Sequence, residues 1–203
     1  MMQGLSTAIA KSVIHHGRVL GRNSQIIQTL RPPCEVFINH RGAETKRSIA
    51  GLLHNFLSLL DVHPFLDNRS MKPGDKLFDE IDAAIYGCKV GVVVFSPLYC
   101  ESRFCLHELA LLMETKKRVV PIFCDVKPSQ LHVRDDLKHS ANNLQRYRLA
   151  VEEAKNTVGL TFYSSKGDWS KLVRDASDAV IRNLLEAEEE KPQLEPKFAQ
   201  STE

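Results

Sequence analysis

The stretch K-V-G-V-V-V-F, Lys89 to Phe95, carries no alternating polar residue after its lysine. A strand solvated on one face alternates apolar and polar side chains, so a strand that is apolar throughout is covered on both faces. This one belongs at the centre of a sheet. Working outward, four further short apolar runs read as strands: Glu35 to Asn39, His63 to Leu66, Val119 to Cys124 and Leu160 to Tyr163. Helical spacing lies between them, first in Ile49, Leu52, Leu53, Phe56, Leu57 and Leu60, then in Leu77, Ile81, Ala84 and Ile85. A third helix holds Cys105, Leu109, Leu112 and Met113. A last one follows Asp168, read as its N-cap, and places Leu172, Val173, Ala176, Val180 and Leu184 on one stripe. The segment Asp135 to Val158 has a helical but polar pattern and is expected on the surface. Short apolar runs that alternate with helices signal βαβ units, which cross over right-handedly. The expected class is α/β, a flavodoxin-like fold with a central five-stranded parallel sheet and helices on both faces.

The 203 residues suffice for one core plus tails. Residues 1–33 hold Lys11, Arg18, Arg22 and Arg31 and no carboxylate, the first being Glu35. That bias reads as a plain basic extension, with an organelle transit peptide as the other reading. Residues 186–203 begin with Glu188-Glu189-Glu190, add Pro192 and Pro196, and are expected to be a disordered tail. A net charge of +2 from 27 basic and 25 acidic side chains gives no basic face for phosphate backbones, which disfavours nucleic acid. No apolar run reaches the length of a membrane span. The five cysteines form an odd set without a C-x-x-C pair and read as reduced intracellular thiols, and scattered histidines argue against a metal site.

Open parallel sheets bind ligands beyond the carboxyl ends of their strands. After the first strand, Asn39 to Lys46 offers Gly42 for an unusual turn beside the cations Arg41 and Lys46. A phosphate site and a merely solvated loop fit that spacing equally. After the second, Leu66 to Asp75 is a long polar loop with a Pro73-Gly74 turn. After the third, Ser96 to Leu109 supplies Glu101 and Glu108, and Phe104 shares a helix flank with Glu108. An ordinary boundary glutamate and a core phenylalanine satisfy the same pattern. The phosphate-loop signature, the G-x-G-x-x-G fingerprint and the G-x-S-x-G elbow are all missing, and Ser96 stands where a phospho-acceptor aspartate would end the central strand.

Three ordered motifs carry a resemblance: E-V-F-I-N-H-R-G-A-E-T-K from Glu35, then V-V-V-F-S-P-L-Y with S-R-F-C-L-H-E-L, then V-V-P-I-F-C-D-V-K-P-S at Val119 to Ser129. Over roughly Cys34 to Leu185 the chain resembles a TIR domain of the plant type, and no nucleotide-binding module or leucine-rich repeats follow, as in a stand-alone member. The resemblance implies a TIR fold over residues 34–185. It also implies an enzyme of plant innate immune signalling, which cleaves NAD+ to nicotinamide and ADP-ribose or a cyclic isomer once TIR–TIR contacts assemble it. On this reading Glu108 is catalytic, and His40, Arg41, Gly42, Lys46, Ser96 and Phe104 contact substrate. NAD+ is substrate rather than cofactor, and no metal is involved. The implied partners are further copies and other TIR proteins. The implied compartment is cytoplasmic or nucleocytoplasmic, or an organelle if residues 1–33 are a transit peptide. The alternative is a non-catalytic TIR adaptor. His40 replaces the family's usual phenylalanine, Lys46 a frequent arginine, and Gly51-Leu52 a common Ser-His pair.

Overall fold

The computed structural model describes residues 34–66, 70, 76–134 and 140–190. Its strands are β1 (Val36–His40), β2 (Pro64–Phe65), β3 (Val90–Phe95), β4 (Arg118–Cys124) and β5 (Leu160–Phe162). The helices are α1 (Gly42–Thr45), α2 (Ile49–Leu59), α3 (Leu77–Gly87), α4 (Arg103–Glu114), α5 (Ala141–Lys155) and α6 (Trp169–Glu189), with 3₁₀ turns at Tyr99–Glu101 and Pro128–Gln130. All strand pairings are parallel, in the order β2-β1-β3-β4-β5. Each of the five expected strands is present within a residue or two of its expected bounds. Every residue of β3 is buried, as its unbroken apolar run requires. The order reverses between β1 and β3, so the crevice of an open α/β sheet lies at the carboxyl ends of those two strands.

Successive strand residues point to opposite faces and build two cores. Phe37, Val93, Phe95 and Phe123 pack with Ile81 and Ile85 of α3, Leu109 and Leu112 of α4, and Tyr147 and Val151 of α5. Val36, Ile38, Val92, Val94 and Ile122 pack with Ile49 and Leu53 of α2 and Leu172, Ala176 and Val180 of α6. On the first face, Gly91 lets α4 lie close to β3. A β-carbon built there would stand 2.9 Å from Leu112 Cδ2.

The caps follow the sequence. Ser102 accepts from the Cys105 amide at 3.3 Å at the start of α4. Asp168 accepts from the Lys171 amide at 3.0 Å at the start of α6. Asp168→Ala is expected to cost about 1 kcal/mol, read as a fall of about 2–4 °C in thermal melts. The polar segment expected on the surface contains α5, which buries a narrow stripe of Tyr147, Ala150, Val151 and Ala154 and exposes the rest.

The expected tail is corrected at its start. Helix α6 runs past Leu185 to Glu189, because the acidic run meets cations at the amino ends of the strands. Arg118 pairs with Glu186 and, at 2.6 Å, with Glu190, and Lys89 bridges Glu188 to Glu35. Burial works upward on the Glu35 carboxyl, but hydrogen bonds from His63 and Lys89 outweigh it and leave its pKa lowered. Its contribution to stability is therefore present above the ordinary carboxylate pKa and is lost as pH falls through the lowered value. Residues 1–33, 191–203 and the Pro73-Gly74 turn lie outside the described residues. Among the described residues, no helix is long and apolar enough to cross a membrane.

Candidate functional site

The crevice between β1 and β3 is closed in front by the β1–α1 junction. Arg41 follows the strand as the N-cap of α1, and its carbonyl accepts the Glu44 and Thr45 amides at 3.0 and 3.1 Å, which starts α1 at Gly42. The unusual turn expected at Gly42 is absent. A side chain there would meet Lys46 Cδ at 3.9 Å, an ordinary contact, and Gly42 simply begins a helix whose C-cap is Lys46.

Arg41 does not reach into solvent alone. Its Nη1 donates to the Leu98 carbonyl at 2.6 Å and lies 4.0 Å from Glu101 Oε2, and its Nε lies 3.6 Å from Glu44 Oε2. Glu44 in turn accepts from Ser96 Oγ at 2.7 Å and from the Leu98 amide at 3.3 Å. One carboxylate thus ties α1 to the segment after β3 and holds Arg41 and Ser96 in a single network. Glu44 went unremarked in the sequence, although its place three residues after Arg41, a helical neighbour spacing, was the available signal.

His40 points the other way, into the α2 side of β1, and is 8% exposed. Thr45 Oγ1 donates to the Arg41 carbonyl at 3.1 Å, so His40 Nδ1, 3.0 Å away, is the donor to that hydroxyl. The ring fastens α1 onto β1 and belongs to the frame of the site.

On the opposite face of β1, Asn39 meets α4. Its Nδ2 donates to Glu108 Oε2 at 3.1 Å and to the Cys105 carbonyl at 3.0 Å, and its Oδ1 accepts from Tyr99 Oη at 2.5 Å. Glu108 is thereby held half-buried at the carboxyl end of β1. Burial first, then the negative charge of Glu108, pushes the adjacent Cys105 thiol up to about 12, so it stays protonated and is no nucleophile near neutral pH. Asn39 and Tyr99 were not anticipated from the sequence. A polar residue inside the apolar strand V-F-I-N-H was the one hint.

Phe104 lies one turn before Glu108 on the same flank of α4. Its ring stacks on Phe78 at 5.6 Å, and the Arg103 guanidinium sits 5.1 Å from its centroid. It lines a cavity of about 300 Å³ with Phe78, His107, Asn143 and Tyr147, between α3, α4 and α5. The structure therefore joins Arg41, Ser96 and the start of α1 in one network and Glu108 to β1 through Asn39. Phe104 opens onto the neighbouring cavity.

Residues 35–200 match the family model described as TIR domain. Over 158 residues the chain is 48% identical to the probable 2′ cyclic ADP-D-ribose synthase BdTIR of Brachypodium distachyon, covering 76% of this chain and 70% of that one. It is 32% identical over 168 residues to the TMV resistance protein N of Nicotiana glutinosa, covering 74% of this chain but 14% of that protein. The TIR domains of the activated Roq1 resistosome, a structure described as directly recognizing the pathogen effector XopQ, match with a TM-score of 0.65 at 29% identity. That match covers 72% of this chain and 98% of the other. With the family model spanning most of the sequence and a relative 48% identical over 158 residues, the chain belongs to the TIR domain family.

Proposed function

We propose that this TIR domain cleaves the bond between nicotinamide and ribose in NAD+, in plant innate immune signalling, with Glu108 as the catalytic carboxylate. The observation that carries the reading is the Glu108 carboxylate, bound by the Asn39 amide at the carboxyl end of β1, beside the sheet's switch point. Support comes also from the relative named as a cyclic ADP-ribose synthase and from the relative named as a resistance protein.

The nicotinamide of NAD+ is already a cationic ring, so the electron pair of the breaking C–N bond neutralises it and no general acid is needed. The barrier is positive charge on the ribose. A fixed carboxylate beside the sugar stabilises that oxocarbenium-like charge, as the second carboxylate does in glycoside cleavage. An oxygen then bonds to the same carbon and sheds its proton. Water yields ADP-ribose, and a hydroxyl of the same molecule yields a cyclic isomer. Arg41, Lys46 and the Gly42 end of α1 supply cations and main-chain amides for the phosphates, while Ser96 and Phe104 bound the substrate. A phosphate at Arg41 replaces its present bond to the Leu98 carbonyl.

Self-association is the proposed trigger. Leu52, Phe56, Leu59 and Leu60 form an exposed apolar row on α2, which suits a second TIR domain. The same row favours the second reading, an adaptor that binds TIR partners without chemistry. The proposed compartment is cytoplasmic or nucleocytoplasmic.

The test is nicotinamide release from NAD+ by the purified chain, followed by liquid chromatography and mass spectrometry. Release whose rate per molecule rises with protein concentration is expected. If no nicotinamide forms at any concentration, crowding agents included, the adaptor reading replaces the enzymatic one.

A further inference from the structure

We propose that Asn39 and Tyr99 are positioning residues for this site: the buried Tyr99 hydroxyl orients the Asn39 amide, and the amide holds the Glu108 carboxylate where the sugar docks. The inference rests on the NAD+-cleaving reading above. Asn39 is fully buried at a position facing the α4 side of β1, where the neighbouring inward residue is Phe37. A buried amide is costly unless its donors and acceptor are all matched. Two neighbours, the Cys105 carbonyl and the Glu108 carboxylate, can only accept, so both amide protons must face them. That leaves Oδ1 turned to Tyr99 Oη, 2.5 Å away. A flipped amide would set oxygen against two acceptors.

Tyr99 has a single proton to give, and Asn39 Oδ1 is nearer than its other acceptor, the Cys105 carbonyl at 3.1 Å. The phenol cannot swing away. It is fully buried, with its ring edge-on to Phe95 at a centroid distance of 4.6 Å. Burial above all, then nearby Cys105 and Glu108, raises its pKa well above the usual tyrosine range, so it remains a donor. Neither Asn39 nor Tyr99 has surface to offer a substrate. Their effect must pass through Glu108, by holding its carboxylate in one orientation before the charge develops on the sugar.

Two variants of the full chain test this. Asn39→Asp keeps the shape but turns a like charge toward Glu108, and Tyr99→Phe removes one oxygen. Each is followed by thermal melting, by kcat and KM for NAD+, and by a carbon-13 NMR titration of the Glu108 carboxyl. The titratable groups that act on that carboxyl are Tyr99 from the 3₁₀ turn and Cys105 from α4, and the Arg41 guanidinium acts on Cys105 in turn. For Asn39→Asp, kcat is expected to fall about 10- to 100-fold with KM within about twofold. The Glu108 titration should move to higher pH, because two close carboxylates do not ionise together. For Tyr99→Phe, kcat should fall about 3- to 10-fold, again with KM held. A purely structural role would lower the melting temperature and leave kcat per folded molecule and the titration as they were, and that result overturns the proposal. If Asn39→Asp does not fold, the kcat of Tyr99→Phe decides alone. The titration needs no turnover. A shifted titration in a protein that never releases nicotinamide defeats the enzymatic reading and not the amide's hold on Glu108, whereas an unshifted one in an active enzyme defeats the proposal.

Discussion

Glu108→Gln is expected to slow nicotinamide release by about 10²- to 10³-fold, the usual cost of removing one fixed charge-stabilising group from a site. Glutamine keeps the length of the side chain and can still accept from Asn39 Nδ2 through its carbonyl oxygen, so the contact at 3.1 Å survives. What disappears is the negative charge proposed to face the sugar. The melting temperature should therefore change by no more than about 2 °C. Turnover measured beside a thermal melt separates the two effects. A glutamine variant that turns over like the parent protein would falsify the role given to this carboxylate.

Leu112→Ala is expected to be the most damaging truncation in the frame of the site. Leu112 is fully buried between α4 and β3, and its methyl groups occupy the space that Gly91 leaves open. Removing them costs about 2–5 kcal/mol, which lowers the melting temperature by about 5–15 °C in a domain of this size. Gly91→Ala alone is also expected to destabilise, because its new methyl would sit 2.9 Å from Leu112 Cδ2. Combined, the two changes should cost less than their sum, since the added methyl enters the space the leucine has left. Urea melts of both single variants and the pair give the coupling. Strict additivity would mean that α4 does not rest on β3 at this point.

The layers of this protein are legible in its sequence because burial leaves a periodic mark. The unbroken run in β3 marks the centre of the sheet, and the stripe after Asp168 marks α6 together with its cap. The site is legible only in part. Arg41, Glu101 and Glu108 stand out as charged groups beyond strand ends, but only the resemblance to TIR domains selects Glu108 among them. The bonds that place Glu108 join residues 60 to 69 positions apart, and no local pattern reports a contact across such a separation. His40 illustrates the same limit from the other side. It was expected to touch substrate, but strand alternation turns it toward the α2 core, away from Asn39. The end of α6 was misplaced because an acidic run looks unfit to fold until Lys89 and Arg118 are seen beside it.

Glu35, where the chain comes into the sheet, and Glu188, near its last described turn, share one ammonium group, that of Lys89. The two ends of the domain are thus neighbours at one pole, while the Arg41 network stands beyond the opposite ends of the strands. About 20 Å of β3 separates them. Such a layout makes the domain a natural candidate for circular permutation, with a short linker over Lys89 and new termini cut at an exposed loop tip. It also lets the domain be spliced as a single insert into a host scaffold, held by two adjacent stems with its working face outward.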